Sequence, residues 1–573
     1  LRIGLFLLAT ATLSTWTKVS YLGIRNSWIL AYFGWSEGLS DYFDKYRYPM
    51  FIHPTFFVYS IFMYIIRQIS KNTKVHKNNN EEFKMQITLT ELLRKVGISC
   101  NNDSIITGIE SDSRKIKQGN LFVAISGHDS DGHEFIRQAI KNGAAAIIGE
   151  REIEDVRPTP YFKVPNSRHL VWALANSFYG QPQNKHKMIG ITGTNGKTTT
   201  AYLLHHILTY NGKTSSLLGT VEYFLNGERH KSTLTTPDAI SFQKMIHESK
   251  DEFVVMEVSS HGLDQYRVAG PMLDYAIFTN LSHEHLDYHS DIEEYFQAKK
   301  MIFQCLKPEG KGIVGAYTPW GEKMDEELAQ ERVPSISFSH RMKKETIQLK
   351  SFISAPQLSL VIEDNGKEYT VNMKIPGKHN VYNALGSYIC ARDIGFTPEQ
   401  VITALQCFQG VPGRFEQIEL PTGSKAIIDY AHTPDGLRHA LETASHCVEK
   451  DLYHIFGFRG KRDSSKRREM VEISQAICSH VYLTLDDLNG VEKEQMIEEL
   501  KELSKPYQNI TIIEDRTETI AFVINSLGKG DGFIITGKGP ESYQEEYAYK
   551  TKSDRDTILH LISEEMAFEP ING

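Results

Sequence analysis

Lys187 to Thr200 reads KMIGITGTNGKTTT and runs on into the apolar-periodic AYLLHHILTYNG. Met188 to Thr192 is predicted as a short buried strand, Gly193 to Gly196 as a tight glycine turn, and Thr198 onward as a helix whose apolar residues recur at three and four. Strand, glycine loop and helix in that order make a phosphate-binding unit. Glycines let backbone N–H groups close on phosphate, the helix N-terminus adds partial positive charge, Lys197 reaches the β/γ oxygens, and Thr198 is placed to ligate Mg²⁺. The competing reading is a glycine turn before an ordinary helix. Five residues separate Gly190 from Gly196, where the common form has four, and the loop proper is the compact G-T-N-G-K-T. A narrower class of ATPase is therefore expected.

At 573 residues the chain is long enough for about three or four domains, each with its own core. A net charge of −8 and the lack of a long basic run argue against nucleic acid as the main partner. The six cysteines, Cys100, Cys305, Cys390, Cys407, Cys447 and Cys478, are scattered without C-x-x-C or paired spacing. That is reduced cytosolic usage rather than a disulfide framework or a zinc site.

Residues 1–84 differ from the rest. Their apolar bursts, Ile3 to Leu13 and Phe56 to Ile66, are shorter than the roughly 18 residues a spanning helix needs, and no convincing A-x-A cleavage site follows Arg2. A degenerate membrane-associated extension, an unusual N-terminal module and sequence upstream of the true start all fit. The last is the expectation taken, with the working protein beginning near Met85 after the polar linker Lys71 to Glu82.

From Met85 to Asn184 short strands (Gly119 to Ser126, Ala144 to Ile148) alternate with a helix (Gly132 to Asn142), and Asp112-Ser113-Arg114 sits in a turn. In the block 185–412, Phe253 to Val258 is a strand carrying Glu257 at its end. Asp274 to Thr279 is another, leading into NLSHEHLDYH. Open α/β sheets bind ligands at the carboxyl ends of strands, so Glu257 and His285 are candidate Mg²⁺ ligands; the competing reading of such loop histidines is simple solvation. Residues 413–573 form a second α/β unit with strands Lys425 to Tyr430, Leu452 to Gly457, Val481 to Leu485 and Gly532 to Thr536. Asp429 with His432, Arg459 to Arg462, Asp486 with Asp487, and Lys538 with Glu541 stand at the ends of these strands and suggest a shared cleft rim.

In order from Met85 to the end the chain carries DSR, GITGTNGKTTT, TTPD, MEVSSHGL, FTNLSHEHLDYH, GKHNVYNAL, GRFE, DYAHTPDGL, KRDSSKR and GKGPESYQ. In these motifs it resembles the Mur ligases of bacterial cell-wall synthesis, most of all their UDP-N-acetylmuramoyl-tripeptide synthetase branch, MurE. The resemblance implies an α/β protein of three domains: a UDP-precursor-binding domain (85–184), a central P-loop ATPase (185–412) and a C-terminal Rossmann-like domain that brings the amino acid (413–573). It implies a cytoplasmic, monomeric ATP-dependent ligase that adds the third amino acid to UDP-MurNAc-L-Ala-D-Glu through an acyl phosphate, with no nucleic-acid partner and no stable membrane association. Carried over by position, Ser113, His128, Asp129 and Ser130 hold the uridine nucleotide. Thr235, Thr236, Ser259, Gln265 and Arg267 bind the muramoyl-dipeptide arm. Gly193, Thr194, Asn195, Gly196, Lys197, Thr198 and Thr199 cradle ATP, with Asn380 and Asn383 near adenine and Arg414, Asp429 and His432 closing over the nucleotide. Lys197, Glu257, His285 and Lys299 are the implied catalytic set. Lys299 matches the lysine that family members carbamylate with CO2, so Thr198, Glu257, His285 and the carbamate are the implied Mg²⁺ ligands.

Members that add meso-diaminopimelate carry D-N-P-R, whose arginine pairs with the distal carboxylate. The aligned residues here are Asp486, Asp487, Leu488 and Asn489. Asn cannot replace a bidentate guanidinium and two acids attract an ammonium, so L-lysine or another non-diaminopimelate amine is the expectation. Arg462, Gly537 and Glu541, which match contacts to the diaminopimelate end, point the other way. Leu234 and Pro540 are further departures, before the threonine pair and within GKGPE. The alternatives are a Mur-like amide ligase for another acid, of the folylpolyglutamate or cyanophycin type, and a non-catalytic Mur-like scaffold. The retained DSR, TTPD and SSHGLDQYR argue against the first, and Lys197, Glu257, His285 and Lys299 against the second.

Overall fold

The computed structural model describes residues 85–568 apart from 128–129, 154–155, 283, 285–287 and 340–346. The expectations for the segment before Met85 and for His128, Asp129 and His285 lie outside the described residues.

An eight-stranded sheet holds the phosphate loop. In spatial order its strands are Glu228–Lys231, Glu222–Leu225, Ser215–Leu218, Phe253–Glu257, Lys187–Thr192, Leu273–Phe278, Leu306–Gly315 and Ser335–Phe338. The first three pair antiparallel; from Ser215–Leu218 onward all neighbours are parallel. Lys187–Thr192 is buried at every position after Lys187, as a near-continuous apolar strand covered on both faces should be. Its side chains alternate between two cores: Ile189 and Ile191 pack with Leu203, Leu204 and Ile207 of the helix Lys197–Tyr210, and Met188 packs with Val254, Met256 and Phe278 on the opposite face. The helix Lys378–Ile394 lies against the first of these cores and is buried without a break from Asn380 to Ala391.

The order of the strands decides where a ligand can sit. After Lys187–Thr192 the chain builds Ser215–Leu218 and Phe253–Glu257 on one side, then crosses to Leu273–Phe278 on the other. That reversal makes the carboxyl end of Lys187–Thr192 a topological switch point, where connecting chain diverges and leaves a crevice.

Among the described residues four further sheets accompany this one, the smallest being the antiparallel pair Ile87–Thr88 and Ile105–Ile106. Gly108–Glu110, Asn120–Val123, Ala146–Gly149 and Tyr161–Lys163 pair in sequence order, all parallel. Ile347–Ile353, Leu358–Asp364 and Lys367–Met373 form an antiparallel sheet. Six strands make the last sheet, in the order Glu416–Glu419, Lys425–Ile428, Gly532–Ile535, Leu452–Phe456, His480–Leu483 and Ile510–Ile512, parallel except for the first. The fold is thus the expected α/β architecture. Six strands end one or two residues before the expected positions, at Glu257, Phe278, Ile428, Phe456, Leu483 and Ile535, because polar groups such as Asp429 leave the ladder to bond in loops. The expected helix Gly132 to Asn142 is a 3-10 turn over Gly132–Phe135 and α-helical only over Ile136–Lys141. Among the described residues no helix is long and apolar enough to cross a membrane.

Candidate active site at the phosphate loop

The loop leaves the switch point with Gly196 at φ +86° as the N-cap of the helix Lys197–Tyr210. A side chain there would be both strained and driven into the Asn383 amide. No side chain caps this helix, so its first N–H groups stay available to an anion. The loop is pinned from the next strand: Thr194 N–H donates to the Asn280 carbonyl (2.9 Å), Asn195 N–H to Asn280 Oδ1 (3.0 Å), and Thr279 Oγ1 to the Asn195 carbonyl (2.6 Å). Thr199 is half-buried in the first helical turn.

Two lysine side chains meet at one carbonyl. Lys197 Nζ donates to Gly193 O (2.8 Å) and Thr194 O (2.9 Å), and Lys299 Nζ, from the helix Ile292–Lys300, donates to the same Gly193 O (2.8 Å). Burial pulls the Lys197 amine down against the pull of Glu284 and Glu257. Lys299 is 1% exposed. Burial first and the neighbouring Lys197 charge second hold its amine well below the ordinary lysine range, and its Nζ lies 4.4 Å from the Tyr295 ring centre.

Glu257 is fully buried at the end of its strand. Oε2 accepts from Thr198 Oγ1 (2.9 Å) and Thr220 Oγ1 (3.0 Å), and Oε1 from the Thr220 N–H (2.8 Å). Arg414 Nη2 also reaches Thr198 Oγ1, at 3.3 Å. Among the described residues no three His, Cys, Asp or Glu side chains converge to hold a metal. The donors offered are a hydroxyl and a carboxylate, an all-oxygen pair suited to Mg²⁺, which takes few protein ligands and fills its shell with water and phosphate oxygens.

The residues assigned to the dipeptide arm form one connected patch beside Glu257. Thr236 Oγ1 donates to the Glu257 backbone carbonyl (3.0 Å) and accepts from the Ser259 N–H (2.9 Å). Arg267 donates to the Thr236 carbonyl (3.0 Å) and to Gln265 Oε1 (2.7 Å), and Thr235 Oγ1 lies 3.1 Å from Thr220 Oγ1. Leu234, 41% exposed, donates its N–H to Tyr223.

Other assigned residues have structural partners. Asn383 Nδ2 donates to Asn380 Oδ1 (3.0 Å) and Asn380 Nδ2 to Pro376 O (2.7 Å), so this pair braces the helix behind Gly196. Asp429 accepts from the Phe415 and Ala431 N–H groups, both at 2.8 Å, and so ties the chain entering Glu416–Glu419 to the chain leaving Lys425–Ile428. His432 Nε2 stands 3.3 Å from Glu284 Oε1. In the first sheet's unit Ser113 is buried behind an Asp112-capped turn, its carbonyl bonded by Asn142, and Ser130 is exposed.

At the cleft rim Asp486 and Asp487 are buried and face Lys538, which is wholly enclosed, at 3.1 and 2.6 Å. Burial pushes the Asp486 carboxyl up, but Arg516, Lys538 and Arg459 outweigh it and hold the group below its usual range. Leu488 N–H donates to Glu545, Asn489 Nδ2 to the Gly460 carbonyl, and Gly537 O accepts from Arg459. Glu541 accepts from Tyr430 OH (2.7 Å) and pairs with Arg459. Arg462 is exposed. The acids expected to draw a lysine ammonium are therefore already neutralised from within. Thr220, Asn280 and Tyr430, which sequence reading missed, stand beside recognisable motifs but show their role only in these contacts.

The chain matches the Mur ligase family catalytic domain over residues 105–179, the Mur ligase middle domain over 191–391 and the Mur ligase glutamate ligase domain over 413–539. It is 35% identical over 495 residues to a protein of Syntrophomonas wolfei, covering 85% of this chain and 99% of the relative, and 37% identical over 471 residues to one of Bacillus cereus, covering 80% and 94%. Both are named UDP-N-acetylmuramoyl-L-alanyl-D-glutamate–2,6-diaminopimelate ligase. A solved structure of that name superposes with TM-score 0.61 at 26% identity, over 84% of this chain and all of the other. The ADP complex of MurF from Thermotoga maritima, at TM-score 0.56 and 20% identity over 80% of this chain and 98% of the other, shares the fold. The names of these relatives lend the expectation of L-lysine no support, and the paired acids remove its physical basis. With its phosphate loop at the switch point and three family matches in order, the chain belongs to the Mur ligase family, ATP-dependent amide ligases, and sides with its MurE branch.

Proposed function

We propose that this chain joins meso-diaminopimelate to the D-Glu carboxylate of UDP-MurNAc-L-Ala-D-Glu, the third-residue step of peptidoglycan precursor synthesis, acting as a cytoplasmic monomer whose domains follow the boundaries 85–184, 185–412 and 413–573. The observation that carries this reading is the position of Glu257. Its side chain holds Thr198 of the phosphate loop while its backbone carbonyl holds Thr236 of the acceptor patch, so nucleotide and acceptor carboxylate are brought together at one residue. That is the proximity a phosphoryl transfer between them requires.

The loop N–H groups and Lys197 take the triphosphate, and Lys197 leaves its contacts with the Gly193 and Thr194 carbonyls for the transferring oxygens. The Thr235, Thr236, Ser259, Gln265 and Arg267 patch orients the dipeptide so that its free carboxylate takes the phosphoryl group. The amine of the third amino acid then attacks the acyl phosphate, forming the amide and expelling phosphate. Mg²⁺, when bound, neutralises phosphate charge, and Thr198 and Glu257 are the described residues that would hold it. Lys299 is the residue to be carbamylated: a neutral amine is what adds CO2, losing a proton to become an anionic carbamate, and burial with the Lys197 charge beside it shifts this amine toward the neutral form.

The test is phosphate release with ATP, Mg²⁺, UDP-MurNAc-L-Ala-D-Glu and, in parallel, meso-diaminopimelate, L-lysine and L-ornithine. Release that needs both acceptor and diaminopimelate is expected. Release with L-lysine alone would overturn the amine, and silence with all three would overturn the acceptor. For Lys299, the Lys299→Ala protein should lose activity and regain part of it with added acetate or formate; loss with no rescue would leave an amine, not a carbamate, as the working group.

A further inference from the structure

The diaminopimelate reading leaves a physical gap, because the position that carries an arginine in diaminopimelate-adding members is Asn489. Its side-chain amide donates to the Gly460 carbonyl (3.2 Å). The Gly460 N–H in turn donates to the Asp487 carbonyl (3.0 Å), and a Cβ on Gly460 would overlap the Leu488 carbonyl. These contacts knit the loop after Leu452–Phe456 to the loop after His480–Leu483 and fix the backbone on the carboxyl side of Gly460.

The next residue is Lys461, in the left-handed region at φ +54°. A non-glycine residue held there is at a small energetic disadvantage that the surroundings must enforce. This backbone carries the lysine side chain across to Gly490, itself left-handed at φ +77°: a Cβ on Gly490 would lie 3.1 Å from Lys461 Nζ. The ammonium thus occupies the space beside Asn489 that a side chain on residue 490 would fill.

The pairing of charges around the rim isolates this group. Lys538 is taken by Asp486 and Asp487, and Arg459 by Glu541. Lys461 and Arg462 are exposed and pair with no carboxylate among the described residues. Two unpaired cations on adjacent residues suit an amino acid with two carboxylates, and diaminopimelate differs from lysine in having the second.

We propose that Lys461 pairs with the distal carboxylate of diaminopimelate and so replaces, from the neighbouring loop, the cation absent at Asn489. This rests on the diaminopimelate reading above. An ammonium is a point charge without the planar fork of a guanidinium, so the site fixes the presence of the carboxylate more strongly than its orientation.

The experiment measures steady-state phosphate release by the full chain and its Lys461→Met, Lys461→Arg and Lys461→Met/Asn489→Arg forms, with meso-diaminopimelate and with L-lysine as amine. In Lys461→Met the KM for diaminopimelate should rise about 10- to 100-fold, the range for losing a charged hydrogen bond. The KM values for ATP and the UDP precursor, and whatever rate L-lysine supports, should not change. Lys461→Arg should retain the wild-type KM, and Asn489→Arg should restore affinity to Lys461→Met. An unchanged diaminopimelate KM in Lys461→Met would overturn the proposal while the amine reading stands. An equal loss with both amines would show a structural role and overturn it too. Wild-type protein that accepts L-lysine and refuses diaminopimelate would sink the amine reading first, and this proposal with it.

Discussion

Glu257 shows how one side chain can set a site. Enclosed and bonded by Thr198 and by both the hydroxyl and the N–H of Thr220, it cannot relax when its charge is removed. Glu257→Gln keeps the shape but brings an N–H2 against hydroxyls that now donate, and it takes away the one described carboxylate beside Thr198. We expect kcat for phosphate release to fall about 10²- to 10³-fold; a variant within a fewfold of wild type would remove Glu257 from the chemistry. His454 belongs to the same scale. It is wholly buried, with Nδ1 2.6 Å from Ser474 Oγ and Nε2 2.9 Å from Thr536 Oγ1. Burial, and then the charge of Arg516, hold its pKa down at about 3. The unfolded chain therefore binds a proton near pH 6.5 that the folded chain refuses until about pH 3, so stability is full above that window and falls as pH drops through it, by about 1.4 kcal/mol per unit. Urea midpoints measured from pH 7 to pH 4 should fall less steeply in His454→Gln than in wild type.

Among the elements, the last helix, Asp554–Phe568, is tied down by its first residue. Asp554 accepts from Arg516 Nε (2.7 Å) and Nη2 (2.8 Å), with both side chains wholly buried. Breaking one side of a buried, bidentate pair leaves a charge without solvent or partner. Asp554→Ala should cost about 3–5 kcal/mol in denaturant unfolding, far more than an exposed pair such as Lys95 with Glu91. Element by element, legibility followed locality. The phosphate loop could be read because strand, turn and helix are contiguous and each has its own periodicity. The sheet Ile347–Ile353, Leu358–Asp364 and Lys367–Met373 went unread, although its last hairpin turns on Asn365 and Gly366, both left-handed at φ +52° and +80°, an Asn-Gly signal between alternating apolar residues. The parallel strands were read one or two residues too long, because the point where polar residues such as Asp429 leave the ladder for loop contacts is not marked by a break in the local pattern.

Across the whole molecule a chain of contacts links the nucleotide side to the amine side. Arg414 reaches Thr198 (3.3 Å) and lies over the Tyr430 ring (4.2 Å), and the Tyr430 hydroxyl donates to Glu541 (2.7 Å), which pairs with Arg459. Tyr430→Phe keeps the ring beneath Arg414 and removes only the hydroxyl, so it should raise the KM for the amine about tenfold and leave that for ATP unchanged. Equal effects on both, measured by initial rates, would show that the two ends respond as one body. The sequence by itself determined the family, the α/β architecture, the phosphate loop with Lys197 and Thr198, and the strand-end position of Glu257, because each is written in contiguous residues whose spacing has a local physical meaning. It could not determine what stands opposite a charge. Asp486 and Asp487 read as acids open to a lysine ammonium until the fold enclosed Lys538 between them, and Lys461 was only one position within the strand end Arg459 to Arg462 until a left-handed backbone set it against Gly490. Only tertiary structure decides such pairings, since the Coulomb and desolvation terms depend on distances between residues that lie tens of positions apart along the chain.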